Sequence, residues 1–203
     1  MKTQEIIVTK QGIGMNEALD ESEKAGIQIG LSDKELLRLR LLSEELFCMV
    51  RSIAGDVDAA YWLEYEGKSF SIHLKSEVKL TKEMYDELVE VSTKGKNSAV
   101  RGFMENIKNM IFVFMLPRKM DYYNKLSDMI SLGSYGSDFA NSTAYNWSMS
   151  RYRMGLNNSG DYDNDDIANA RDDLEVSIVA NLSDEITVSI VENCVEIIIF
   201  KAF

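Results

Sequence analysis

Glu44 and Glu45 are the residues of this chain whose type and setting most invite chemistry, because they interrupt an otherwise largely apolar stretch, Leu41 to Val50, LLSEELFCMV. Burying an unpaired carboxylate costs several kcal/mol, so a glutamate in such a place needs a partner or a task. Glu45 stands four residues before Met49, which puts both side chains on one face of a helix. One reading is structural: a glutamate at the rim of the apolar stripe, held by a nearby Lys or Arg. The sharper reading, a functional carboxylate, depends on what the rest of the chain supplies. Under both, Glu45 is expected to be paired.

The element that must position these residues is a helix from Ser32 to about Ala54. Ser32 followed by Glu35 makes a capping box, and Leu39, Leu42, Leu46, Met49 and Ile53 recur at three- and four-residue intervals. Before it, Glu5 to Thr9 reads as a short strand and Asn16 to Lys24 as a helix ending near Gly26. After it, Ala60 to Tyr65 and Ser69 to Leu74 alternate apolar and polar residues around Glu66-Gly67-Lys68, a β-hairpin signature. A helical middle follows: Thr81 caps Lys82 to Val91, a helix from Ser98 to Met115 stops at Pro117, and another runs from Met120 to Ser131.

Leu132 to Asp166 lacks strong periodicity and reads as a lid, a binding loop or a partly disordered segment. Its aromatic cluster, Tyr145, Trp147 and Tyr152, reads either as a recognition surface or as a cover over the core, with a strand pairing to the sheet edge. Ile167 to Leu182 places Leu174, Ile178 and Leu182 on one helical face. Ile186 to Val191, a turn at Glu192-Asn193, and Val195 to Phe200 then form a closing hairpin. The run VEIIIF reads as an interior strand, since apolar β-branched residues occupy both of its faces.

The chain has 203 residues, enough for one domain with a substantial core. Its first residues, MKTQEIIVTKQG, have no basic segment leading into a long apolar run, so no secretory signal is expected. Its longest apolar run, Met110 to Leu116, is seven residues and too short to span a bilayer. A cytoplasmic protein without membrane association is the expectation. Cys48 and Cys194 lack CxxC spacing and read as small buried core residues. His73, the one histidine, alternates with Ser71 and Lys75 on what reads as the solvent face of a strand, so neither a zinc site nor a Ser–His–Asp triad is expected.

The net charge of −11 is uneven: from Leu156 to Phe203 eleven acids face only Arg171 and Lys201, leaving −2 for the first 155 residues. Such an acidic chain repels phosphate backbones, so a protein partner is expected and nucleic acid is not. A homodimer is also open.

The order strand, helix, long Glu-bearing helix, hairpin, variable insertion, helix, closing hairpin resembles the GHKL superfamily of ATP-binding domains, which includes histidine kinases, gyrase and anti-sigma-factor kinases. LRLRLLSEELFCMV is similar to the first motif of the small anti-sigma-type kinases, and LEVSIVANLSDEITVSIVENCVEIIIFK to their closing helix and hairpin. The resemblance covers roughly residues 4–77 and 168–203, and residues 78–167 read as a helical insertion or lid within one domain. It implies an α/β (α+β) two-layer sandwich of the Bergerat type, with a mixed or antiparallel sheet covered by helices on one face.

It also implies roles for particular residues. Glu45 falls on the glutamate that polarises water in the family, and Met49 falls where an Asn holds magnesium. A thioether is a soft ligand and magnesium requires hard oxygens, so the usual metal contact is lost. Where an Asp-x-Gly-x-Gly box should read adenine the chain has Leu74-Lys75-Ser76-Glu77-Val78, which leaves Ser76 as the candidate contact. The glycine-rich box before the last helix is replaced by the acidic run from Asp165 to Asp173.

A substitute phosphate contact is offered by Lys94, Gly95, Lys96 and Asn97, at the start of the helix ending at Met115. The alternative there is a polar turn with solvated lysines. Asp161, Asp163 and Asp165 open like a calcium loop, but Asp166 replaces the required Gly and Asp172 the bidentate Glu, so a solvated acidic loop is preferred and no metal site is expected. Three functions follow. The first is a non-catalytic regulatory or protein-binding protein without a cofactor. The second is an ATP–magnesium-dependent anti-sigma-type serine/threonine kinase using Glu45 as its base. The third is a sensor whose vacated pocket, near Cys48 and Met49, takes a small and less charged ligand.

Overall fold

The structure is a computed structural model that describes residues 1–54, 57–78, 102–115, 134–135, 144–158 and 165–203. Alternating apolar and polar residues build its two long hairpins. The first joins β2 (Ala59–Glu66) to β3 (Ser69–Glu77), and Gly67 takes a φ of 55° in the turn, where a side chain would be strained. The second, near the end of the chain, joins β6 (Glu185–Val191) to β7 (Cys194–Ala202), with Glu192 at a φ of 56°. β1 (Ile6–Val8) pairs with β2, and β5 (Ala144–Ser148) pairs with β6 and with the two-residue β4 (Ser134–Tyr135).

The sheet has seven strands in the order β1-β2-β3-β7-β6-β5-β4, and all six pairings are antiparallel. VEIIIF therefore lies in an interior strand, between β3 and β6. One sheet face carries Tyr61, Leu63, Phe70, Ile72, Ile197, Ile199, Ile186, Val188 and Trp147, all fully buried. Over that face α1 (Met15–Gln28) packs on β1 and β2, α2 (Asp33–Ala54) on β3 and β7, α3 (Gly102–Met115) on β6, and α4 (Met149–Asn158) on β5 and β6. The chain is thus a mixed α/β, two-layer structure with helices over one face of an antiparallel sheet. α5 (Asp165–Val176) and α6 (Ile178–Leu182) complete the helix layer, packing on α3 and α2 respectively. Among the described residues no helix is long and apolar enough to cross a membrane.

Several expectations are corrected. α1 does not end near Gly26 but runs to Gln28, because Gly26 is a packing position: a Cβ there would lie 2.5 Å from Leu36 Cδ2. The stop is Gly30, with a φ of 78°, in a Schellman arrangement in which Leu31 N–H donates to Gly26 O and Gly30 N–H to Ile27 O, both at 3.0 Å. The helix expected over Ile167 to Leu182 is two, broken at Ser177, whose backbone is extended and whose Oγ accepts the Ala180 N–H at 3.2 Å. Part of the aperiodic segment is regular: β5 turns Tyr145 and Trp147 inward, and α4 buries Met149, Tyr152 and Leu156 at helical spacing. The aromatic cluster is therefore core and not a recognition surface. The helices expected over 82–91 and 120–131 lie outside the described residues.

Cys48 is exposed and Cys194 half-buried, so neither is a core residue; Cys48 falls on the solvent side of α2, opposite the apolar stripe. His73 does lie on the sheet face away from the helices, yet it is only 8% exposed. Trp62 stacks on its ring at 4.7 Å and Glu196 on β7 holds its Nδ1 at 2.9 Å, so strand neighbours cover it where no described helix does.

Candidate functional site

Each residue of α2 turns about 100° from the last, which sorts its side chains into three directions. Leu39, Leu42 and Leu46 are fully buried against the sheet. Arg40 and Ser43 point to α1, where Arg40 pairs with Glu23 at 3.5 Å and Ser43 Oγ meets Ser22 Oγ at 3.3 Å. Glu45 and Met49 share the opposite flank, on the side where α2 meets α3 and α6. Met49 is 3% exposed, so its thioether is packed into the core.

The pairing expected of Glu45 belongs instead to Glu44, whose carboxylate meets Arg40 at 3.3 Å one turn back. Glu45 is half-buried, and its side chain makes no ion pair or hydrogen bond among the described residues. A half-buried position accounts for this, since a glutamate whose stem lies along apolar surface can keep its carboxylate in water without a partner. Ser76, the other described candidate, is 4% exposed and donates from Oγ to Asp58 O at 3.1 Å, which ties the end of β3 to the approach to β2. It lies on the helix-covered face beside Ala59. Lys94, Gly95, Lys96 and Asn97 lie outside the described residues, as do Asp161 and Asp163. Asp165 and Asp166 open α5 and Asp172 lies further along it, so this part of the calcium-like run is helical and not a loop. Among the described residues no group of three or more His, Cys, Asp or Glu side chains is placed to hold a metal ion.

Two features beside α2 have no pattern in the sequence that announces them. The first is a hydroxyl cluster under α1 and α2, in which the buried Tyr61 OH lies 2.6 Å from Ser22 Oγ and 2.8 Å from Ser43 Oγ. Ser22 also reaches Ala18 O at 2.8 Å and Ser43 reaches Leu39 O at 3.0 Å. Three hydroxyl protons thus serve five close contacts, and the cluster pins both helices to β2 at one point. Burial pushes the Tyr61 phenol up to about 12, against the two serine hydrogen bonds that lower it. The only signal for it in the sequence is a pair of serines on otherwise apolar helix faces.

The second is a cavity of about 30 Å³, open to solvent, where β1, β2 and β3 meet the C-terminal half of α2 on its α1 side. Phe47, Val50, Ala59 and Leu74 line it, with Lys10 and Arg51 at its rim. Phe47 lies one turn beyond Ser43, so this cavity and the Glu45–Met49 pair occupy opposite flanks of the same helix. No protein-family model, no curated protein and no solved structure matches this chain.

Proposed function

We propose that this chain is a non-catalytic regulatory or protein-binding protein built on a degenerate GHKL-type, Bergerat-like fold. The observation that carries this reading is Met49. On the flank it shares with Glu45, the position one turn after the glutamate offers a buried thioether where magnesium chemistry needs an oxygen. The order β1, α1, α2, β2–β3 hairpin and closing β6–β7 hairpin follows the element order on which the resemblance rests, with two helices, α5 and α6, where that order has one. Ser76 carries a hydroxyl where the resemblance implies an adenine-reading carboxylate, and that hydroxyl is engaged with the Asp58 backbone carbonyl. A protein partner is favoured over a nucleic acid by the acidic balance of the chain, and no cofactor is required.

The second reading, an ATP-dependent anti-sigma-type serine/threonine kinase, is favoured by one observation: the Glu45 carboxylate is unengaged by the described residues and so free to polarise water or a hydroxyl. Incubation of the purified chain with radiolabelled ATP and magnesium separates the two. The first reading expects no hydrolysis or phosphotransfer above buffer; turnover that disappears in Glu45→Gln would replace it with the second. Against the sensor reading stands the exposure of Cys48, which the reading needs beside Met49 in the vacated pocket.

A further inference from the structure

We propose that the cavity beneath Lys10 and Arg51 binds a short aliphatic carboxylate. Its wall and floor are apolar, formed by Phe47 and Val50 of α2 and by Ala59 and Leu74 of the sheet, while its rim carries two cations. The chain has 33 acids against 22 bases, yet among the described residues those lining this cavity include no Asp or Glu. The side chains of Lys10 and Arg51 make no ion pair or hydrogen bond among the described residues, so their charge is uncommitted. Asp58 approaches the rim, but it accepts the Lys10 backbone N–H at 2.9 Å and leaves the ammonium free.

An apolar floor below two cations that no described side chain pairs selects a ligand with the same division: a small hydrocarbon end and one anionic head. A guanidinium grips a carboxylate through two parallel N–H donors, and the lysine adds a point charge. Size narrows the class. The cavity opens to solvent, and its volume of about 30 Å³ takes about one methyl-sized group of such an end, far below the roughly 300–1,000 Å³ of a site for a nucleotide-sized ligand. A free branched-chain acid and the C-terminal residue of a peptide ending in Val or Ala present the same chemistry. The cavity lies on the flank of α2 away from Glu45 and Met49, so its occupancy does not depend on the regulatory reading above.

The test is a titration of the ¹⁵N-labelled full chain with sodium isobutyrate, with isobutyramide and isobutylamine as controls at matched ionic strength. Saturable shifts of the Thr9, Lys10 and Val57 amides are expected, with half-saturation near ~1–10 mM, and none with either control. Arg51→Ala should weaken binding about tenfold, the loss expected for a charge-assisted hydrogen bond. Leu74→Phe, which fills the floor, should abolish it. If Leu74→Phe fails to fold, the surface double variant Lys10→Ala/Arg51→Ala carries the same expectation of lost binding. The proposal is overturned by shifts that stay linear to about 50 mM, by equal binding of the amide, or by unchanged affinity in Arg51→Ala. A peptide ending in Ala-Val with a free carboxylate, compared with its amide, identifies the source: tighter binding than isobutyrate points to a chain end, and equal or weaker binding to a free acid.

Discussion

Met49 is where residue-level chemistry and packing meet most directly. Because it is 3% exposed, replacing it by the Asn of a magnesium-binding motif would bury a carboxamide in space shaped for a thioether. Met49→Asn should therefore destabilise the fold by about 2–4 kcal/mol, read from urea denaturation, with no gain of nucleotide binding. A neutral effect would mean that the position is roomy and polar. Tyr61 makes a different commitment. Its phenol is neutral when folded, and its pKa of about 12 lies above the ordinary value of 10, so its contribution is complete below pH 10 and declines as pH rises through 12. The loss amounts to about 2–3 kcal/mol. Denaturation between pH 8 and pH 12 should show this extra decline in the native chain and not in Tyr61→Phe, and parallel profiles would remove Tyr61 as its source. Neither residue's role was legible from type alone: Met49 read as core from its spacing, but Tyr61 became a hub only when Ser22 and Ser43 were brought to it from two helices. Glu45 was legible as an odd charge, and its want of a partner among the described residues goes with a half-buried position that spacing does not resolve.

Among the elements, α2 is held at its start by the Glu35 half of the capping box that its sequence announces, with the Ser32 hydroxyl turned to the carboxylate. The Ser32 backbone N–H donates to Glu35 Oε2 at 2.6 Å, the Ser32 hydroxyl donates to the same atom at 2.8 Å, and Lys68 Nζ reaches the carboxylate at 3.0 Å. These bonds, the backbone N–H first, hold the Glu35 carboxyl down to about 2. A depressed carboxylate stabilises above its unfolded value of about 4.5 and loses that contribution as pH falls through 2. Glu35→Gln should therefore flatten the acid decline of stability between those limits while leaving the remaining pH dependence in place; an unchanged acid profile would deny the cap this role. The strands and capped helices were readable because alternation and caps are local signals. The break at Ser177 and the pair β5–α4 were not, for different reasons. Ser177 ends one helix only because its hydroxyl starts another, and the inward Tyr145, Trp147, Tyr152 and Leu156 are diluted by Asn, Ser and Gly that lower the apparent periodicity.

Across the whole molecule, the sheet order places the β2–β3 hairpin directly beside β7, so the first and last thirds of the chain share one core through long-range pairing. No local signal announces that closure beyond the interior-strand character of VEIIIF. The candidate sites divide in the same way. The Glu45–Met49 pair lies in one helix and could be read from its spacing. The cavity under Lys10 and Arg51 joins the end of β1 to the C-terminal half of α2, and only the fold brings those residues together. The function proposed above is a regulatory or protein-binding role without magnesium–nucleotide chemistry. Calorimetric titration of the purified chain with ATP–magnesium tests it most directly. No saturable heat is expected up to about 1 mM nucleotide, and binding at micromolar Kd would contradict a role without nucleotide.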